Sequence, residues 1–125
     1  HGLDVNFIQW TVEGAAEEIA KLDAGVMPLP DSPHARGKCA FKAIQYMSAG
    51  VVPVVSDVGI NADVVQNNKT GLVAKDINEF YDHLKYLYNN KGRMKEIGSN
   101  ARESAVKDYS LDSAAKKLDG IFKTL

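Results

Sequence analysis

Short apolar runs alternate with helical segments over the first 75 residues of this 125-residue chain, and this alternation constrains the fold most. The apolar runs are residues 5–10, 23–28, 51–55 and 70–74, and the helical segments between them are residues 13–22, 38–49 and 62–66. Such an alternation predicts right-handed crossovers between parallel strands, with helices on both faces of the sheet. The sequence therefore predicts an α/β, Rossmann-like fold with a parallel sheet of about four strands.

Beyond residue 75 only helical periodicity remains. Apolar residues recur at helical spacing in three segments, which start after Asp76, near Met94 and after Ser110. Aspartate and serine are residue types that cap helix N-termini, so Asp76 and Ser110 are predicted N-caps. We therefore predict an all-helical C-terminal part. The length suits one domain with its own core, and we predict a single domain over residues 1–125.

Charge and cysteine content narrow the classes of partner. Lys and Arg number 15 against 16 Asp and Glu, which argues against a polybasic nucleic-acid binder. The single cysteine, Cys39, allows no internal disulfide and no cysteine zinc site, so no metal is expected. No apolar run approaches the roughly 20 residues of a membrane-spanning helix. These features favour a cytoplasmic protein without a nucleic-acid partner.

Cations gather where the second predicted helix begins. Parallel sheets bind ligands beyond the carboxyl ends of their strands, which here means the loops at residues 11–13, 29–37 and 56–61. Arg36, Lys38 and Lys42 lie close together in the sequence, where a loop with Gly37 leads into that helix. A helix N-terminus with nearby lysines predicts phosphate binding by the backbone amides of residues 37–40. A solvated helix start without a ligand is the alternative, and no Walker A or Gly-x-Gly-x-x-Gly pattern is present.

Residues 41–55, with the sequence Phe-Lys-Ala-Ile-Gln-Tyr-Met-Ser-Ala-Gly-Val-Val-Pro-Val-Val, resemble the donor-binding segment of group 1 glycosyltransferases. These are retaining enzymes with the two-domain GT-B fold. Residues 56–65 resemble the family's Gly-Gly-Asn-x-Glu-x-Val loop, and residues 67–73 resemble its Asp-Gly-x-x-Gly-Leu-Leu-Val turn and strand. The resemblance covers nearly the whole chain, with the motifs in the family's order.

The resemblance implies that the chain is part of the C-terminal domain, which binds a nucleoside-diphosphate sugar as donor substrate and needs no cofactor. Two glutamates of the family fall on Gly37 and Gln45 here, so glycine supplies no side chain and glutamine a neutral one. Lys42 matches a Lys-x-x-Glu-Tyr-Met variant of the family. No catalytic residue is assigned by the resemblance. The predicted donor-binding residues are Gly37, Lys38, Cys39, Ala40, Phe41, Lys42 and Gln45.

The family also sets expectations about the rest of the enzyme. An N-terminal acceptor domain is expected outside this chain, so we expect the chain alone to be inactive. The complete enzyme would be a hexosyltransferase-like protein in the cytoplasm, with peripheral association at the inner membrane face as an option. An open sheet edge could also pair two copies of the chain into a homodimer.

Other functions stay open at this point. A GT-B-like sugar-nucleotide epimerase would need catalytic carboxylates and a histidine that the sequence does not place. A non-catalytic doubly wound module is a further alternative, but a receiver-like domain would need acidic residues where Thr11 and Val12 follow the first predicted strand. Trp10 with Thr11 is predicted either to pack in the core or to border a nucleobase, and Cys39 to be a buried small residue.

Overall fold

Three parallel strands form the sheet of the structure, a computed structural model that describes residues 2–125. His1, the first residue of the predicted 1–125 domain, lies outside the described residues. The strands are β1 (Ala24–Met27), β2 (Val52–Ser56) and β3 (Leu72–Ala74), in the order β1-β2-β3. The helices are α1 (Ala15–Ala20), α2 (Pro33–Arg36), α3 (Phe41–Ser48), α4 (Asn61–Val64), α5 (Ile77–Asn89), α6 (Lys91–Tyr109) and α7 (Leu111–Lys123).

The central strand β2 is buried along its whole length because helices cover both faces of the sheet. Val55 joins one core cluster with Met47 of α3 and Ala101 of α6. Val54 joins the other cluster with Leu87 of α5, because successive side chains of a strand point to opposite faces. The predicted α/β class, with a small parallel sheet and a helical C-terminal part, is confirmed.

Residues 5–10 are the predicted strand that the structure does not contain. Their β-branched and aromatic residues suit a pleated surface, but strand propensity depends on packing against neighbours. Phe7 is 93% exposed, and no strand of the described sheet pairs with this segment. The observed sheet therefore has three strands, where about four were predicted.

Helix α3 is shorter and less buried than the sequence indicates. The prediction of a helix over residues 38–49, buried on nearly all sides, is wrong at its N-terminal end, because the helix begins at Phe41. Phe41 is 63% exposed, whereas Ala43 and Met47 are buried on the stripe that faces the sheet. Gly50 has a φ of +73° directly after the helix, as a C′ residue does.

Two of the C-terminal helices begin at predicted caps. The Asp76 carboxylate accepts hydrogen bonds from the N–H groups of Asn78 and Glu79, and the Ser110 hydroxyl accepts one from Ser113. Helix α7 buries none of its residues, so its apolar stripe does not pack in the core. Within residues 2–125, no helix is both long and apolar enough to cross a membrane.

Loss of the α5 cap should have a measurable cost. We expect Asp76→Ala to lower the free energy of unfolding by about 1 kcal/mol, because two N–H groups lose their acceptor. Urea unfolding followed by circular dichroism measures the change. Asp82→Ala, an exposed position in the same helix, should shift the free energy by less than about 0.5 kcal/mol. Equal losses in the two variants would contradict a specific capping role.

Candidate functional site

Two loops at the carboxyl edge of the sheet are fastened to each other. The Leu29 N–H after β1 donates to Ser56 Oγ at the end of β2, at 2.8 Å. Gly59, with a φ of +60°, lies so close to α2 that a Cβ there would be 2.8 Å from the Arg36 carbonyl oxygen. A side chain at position 59 would therefore push the loops apart. These contacts hold the two loops together at the carboxyl edge of the sheet, where α/β folds bind ligands.

The N-terminus of α3 opens at this same edge, because α3 connects the parallel strands β1 and β2. The N–H groups of residues 39–43 find no acceptor among residues 2–125, and the first bond of the helix runs from Ile44 N to Ala40 O. Ala40 adopts a left-handed conformation at φ 55° and ψ 23°, yet is only 2% exposed. Five consecutive N–H groups at the start of α3 therefore have no acceptor within residues 2–125, and such a helix end can bind an anion.

The N–H groups in the first part of the predicted phosphate-binding loop are already bonded within the protein. The Gly37 N–H donates to Pro33 O at 3.3 Å, and the Lys38 N–H donates to Ala35 O at 3.1 Å. These bonds end the short helix α2, so the amides available to a ligand begin at Cys39 rather than at Gly37. Gly37 has a φ of −80°, a conformation that any residue adopts.

The three cations of this segment also differ. Arg36 is held in a bidentate ion pair with Asp31, at 2.6 and 2.8 Å, and this pair keeps the pKa of the Asp31 carboxyl below its usual value. Lys38 and Lys42 are exposed, and neither forms an ion pair with any residue in the described range 2–125. Two lysines, rather than three cations, are therefore available to an anion near α3.

Lys42 borders a pocket of about 240 Å³ together with Trp10 and Thr11. Trp10 is exposed, so of the two predictions for it, packing in the core is wrong. Gln45 lies one turn further along α3 on the same face as Lys42 and is half-buried. The structure thus brings Trp10, Thr11, Lys42 and Gln45 to one side of the α3 N-terminus.

Cys39 is exposed, and the prediction that it is buried is wrong. The left-handed turn at Ala40 puts the alanine methyl group into the core in place of the thiol. Among residues 2–125, no three His, Cys, Asp or Glu side chains come together as a metal site would require.

Tyr46 and Gly25 fix the position of α3 on the sheet. A Cβ on Gly25 would lie 2.5 Å from the ring atoms of Tyr46, so the ring packs directly on the backbone of β1. The Tyr46 hydroxyl donates to Val26 O at 3.4 Å, and partial burial raises the pKa of this phenol. The sequence gives no sign of this contact, because it joins residues 20 apart in the chain.

A second cleft at the same edge lies in the predicted ligand-binding loops 29–37 and 56–61, although its side chains are not among the predicted donor-binding residues. It has a volume of about 550 Å³ and is bordered by residues that directly follow the strands, among them Asp57 after β2 and Lys75 after β3. The position of Asp57 immediately after a predicted strand is the sequence signal for a ligand-facing role.

Comparisons with known proteins agree with this architecture. The structure of HepE from Anabaena, a complex with UDP, matches with a TM-score of 0.70 and 15% identity, over 87% of this chain. Sucrose-phosphate synthase from Thermosynechococcus elongatus matches with a TM-score of 0.65 and 20% identity, over 79% of this chain. These matches span 29% and 25% of the two proteins, so the chain corresponds to less than a third of either.

Two comparisons of the sequence give one negative and one positive result. No curated protein sequence matches the chain significantly. The family described as "Glycosyl transferases group 1" matches residues 1–90, well over half of the chain, and these residues include α3 and all three strands. The chain therefore belongs to the group 1 glycosyl transferases, the GT-B family that its sequence resembles.

Proposed function

We propose that the chain is the nucleotide-sugar-binding part of a retaining glycosyltransferase, which moves a sugar from a nucleoside-diphosphate sugar to an acceptor. The observation that carries the proposal is the row of five N–H groups at residues 39–43 without an acceptor among residues 2–125. Family membership supports a transferase, and the HepE structure of similar fold is a complex with UDP. An N-terminal domain outside this chain would bind the acceptor.

The diphosphate of the donor would lie against the α3 N-terminus. Negative charge grows on these phosphates as the sugar leaves, so fixed N–H donors and the positive end of the helix lower the barrier. Lys38 and Lys42 would add charge-assisted hydrogen bonds, which are stronger than neutral ones. We do not assign Gly37 a contact with the sugar, because it has no side chain and its N–H is already bonded.

The nucleoside would extend from the phosphates toward Trp10. Gln45 lies on the same helical face as Lys42, and its amide oxygen can accept a hydrogen bond from a ribose hydroxyl. Trp10 and Thr11 border the pocket that Lys42 also borders, which suits an aromatic base. In this proposal the predicted donor-binding residues other than Gly37 divide into phosphate-binding amides with two lysines and a ribose-binding glutamine.

Calorimetric titration with UDP, GDP and ADP tests the proposal. We expect Lys42→Ala to weaken binding of the preferred nucleotide at least about 10-fold, because an ammonium–phosphate hydrogen bond contributes about 1.5–3 kcal/mol. Lys85→Ala is the matched control, since Lys85 lies on α5 across the sheet, near the ring of Tyr81. If the chain binds none of the three nucleotides, or if Lys42→Ala and Gln45→Ala bind them like the parent, the proposed function is wrong.

A further inference from the structure

The side of α5 that does not pack on the sheet carries an aromatic stripe. Phe80 and Leu87 of this helix are buried in the core, whereas Tyr81, Leu84 and Tyr88 recur at helical spacing on another side and are exposed. The two tyrosines are 64% and 74% exposed. A contiguous apolar and aromatic stripe that stays exposed marks an interaction surface.

Three lysines border this stripe. The Lys85 ammonium lies 5.7 Å from the centre of the Tyr81 ring, and that of Lys91, the first residue of α6, lies 5.3 Å from the centre of the Tyr88 ring. Lys95 follows one helical turn later in α6 and is exposed. None of the three lysines forms an ion pair within the part of the chain that the structure describes. The stripe and these lysines together are called the tyrosine–lysine face below.

The charge around this face has one sign. Residues 83–95 contain the three lysines, Arg93 and no Asp or Glu, in a chain that has 15 basic and 16 acidic residues in total. Arg93 is paired with Glu96 at 2.7 Å, so the lysines are the free cations of this range. The two carboxylates of α5 are Glu79, which accepts from a backbone N–H at 2.8 Å, and Asp82, which lies about 100° around the helix from the first tyrosine of the stripe. The face is therefore complementary to an anionic partner.

Two other kinds of partner fit this face less well. A protein helix packed on it would bury the lysine ammonium groups, and the burial of an unpaired charge is costly. The bases of a single-stranded nucleic acid would stack on the tyrosine rings, but a lysine ammonium already lies over one side of each ring. A lipid surface leaves the ammonium groups in the hydrated headgroup layer and takes up only the apolar part of each tyrosine. The combination of exposed tyrosines and free lysines favours the lipid surface.

Helix α7 also has an apolar stripe that packs in no core, but its charges differ from those of α5. Lys123 is paired with Asp119 at 2.6 Å, and the Lys117 ammonium donates to the Asp108 carbonyl oxygen at 3.1 Å. Two of the three lysines of α7 are thus already engaged, and the helix carries two aspartates. Its charge does not select an anionic partner, so α7 provides a comparison within the same chain.

We propose that the tyrosine–lysine face binds an anionic lipid surface, with α5 lying along the headgroup layer. The rings of Tyr81 and Tyr88 would lie at the level of the headgroups, where the amphipathic tyrosine side chain is favoured. Lys85, Lys91 and Lys95 would approach the lipid phosphates, because an anionic leaflet attracts lysines close to its surface. This inference does not depend on the proposed function, since no nucleotide takes part in the contact.

Flotation with large unilamellar vesicles tests the proposal. We expect the chain to float with vesicles of equal parts phosphatidylglycerol and phosphatidylcholine, and not with vesicles of phosphatidylcholine alone. The double variant Lys85→Ala with Lys91→Ala should bind about 25-fold more weakly, because each lysine near an anionic leaflet contributes about fivefold. Tyr81→Ser with Tyr88→Ser should weaken binding at least about fivefold, since the apolar area taken up by the headgroup layer is lost.

The matched control removes the same charge from α7. Lys116→Ala with Lys123→Ala should bind the anionic vesicles within about twofold of the parent, and circular dichroism shows that each variant stays folded. Equal weakening by the two pairs of lysine substitutions would mean that only net charge matters, and it would overturn the assignment to α5. Absence of vesicle binding by the parent, or equal binding to the two lipid compositions, overturns the proposal as well.

Two further measurements test the other occupants of the face. Sedimentation velocity without lipid would assign the face to a second copy of the chain if it revealed a dimer that Tyr81→Ser with Tyr88→Ser abolishes. Binding of polyuridylate that Lys85→Ala with Lys91→Ala abolishes would assign the face to a nucleic acid. Either result overturns the lipid contact. Nucleotide titration and vesicle flotation are independent measurements, so the failure of one proposal leaves the other standing.

Discussion

Gly98→Ala is expected to destabilise the chain by about 2 kcal/mol, although alanine is the better helix former. Gly98 lies inside α6, and a Cβ there would be 2.3 Å from the Gly50 carbonyl oxygen. Gly50 is held at a φ of +73° by the turn between α3 and β2, so this carbonyl cannot turn away without strain. Forced separation of α6 from the turn should cost more than the roughly 1 kcal/mol that helix propensity returns.

Gly92→Ala is the matched control for this prediction. Gly92 lies in the same helix, and nothing lies within 4 Å of a Cβ built on it. We expect it to leave the free energy of unfolding unchanged or to raise it by up to about 1 kcal/mol. Urea unfolding of both variants measures the difference. A Gly98→Ala variant as stable as Gly92→Ala would show that α6 does not rest on the α3–β2 turn.

Features encoded by neighbouring residues were predictable from the sequence. Residues 51–55 are valine-rich, and the structure has the buried central strand β2 at Val52–Ser56. Gly50 ends α3 because only a few residue types accept its positive φ, and Asp76 caps α5 through its own next turn. In each case the side chain and its partner lie within a few residues, so the pattern carries the information.

Features that depend on distant partners were not predictable. Residues 5–10 have strand-like composition, but a strand also needs a neighbouring backbone, and the three strands of the described sheet do not supply one. In the sequence Gly98 looks like any other helical glycine, and only the structure shows that the Gly50 carbonyl oxygen lies against it. Three cations lie near the start of α3 in the sequence, but Arg36 is paired with Asp31 in the structure, which leaves two for an anion. Such pairings are decided by the fold.

The candidate site was likewise predictable from the sequence only in part. The sequence placed a helix N-terminus and lysines at the carboxyl edge of the sheet, and the structure has both there. It did not reveal which amides are already bonded, because the end of α2 at residues 37–38 is fixed by a few turn bonds. It also could not reveal that residue 40, an alanine rather than a glycine, adopts a left-handed conformation at the start of α3.

Ala40→Val should have the largest effect on the proposed donor site. A β-branched residue strongly resists the left-handed conformation, and the position is only 2% exposed, so added methyl groups have no room. We expect a loss of about 3 kcal/mol of unfolding free energy, from backbone strain together with overpacking. Where the variant stays folded, nucleotide binding should fall at least about 10-fold, because the amides of residues 39–43 lose their alignment.

Ala40→Gly separates these two effects. Glycine accepts a positive φ without steric cost, but it loses more conformational entropy on folding, so the net change in stability should lie within about 1 kcal/mol. The amides keep their geometry, and nucleotide affinity measured by calorimetry should stay within about twofold of the parent. If Ala40→Gly abolished nucleotide binding while the chain stayed folded, the alanine methyl group rather than the backbone would be the essential feature. If Ala40→Val bound nucleotides as tightly as the parent, the diphosphate could not lie on the amides that this turn presents.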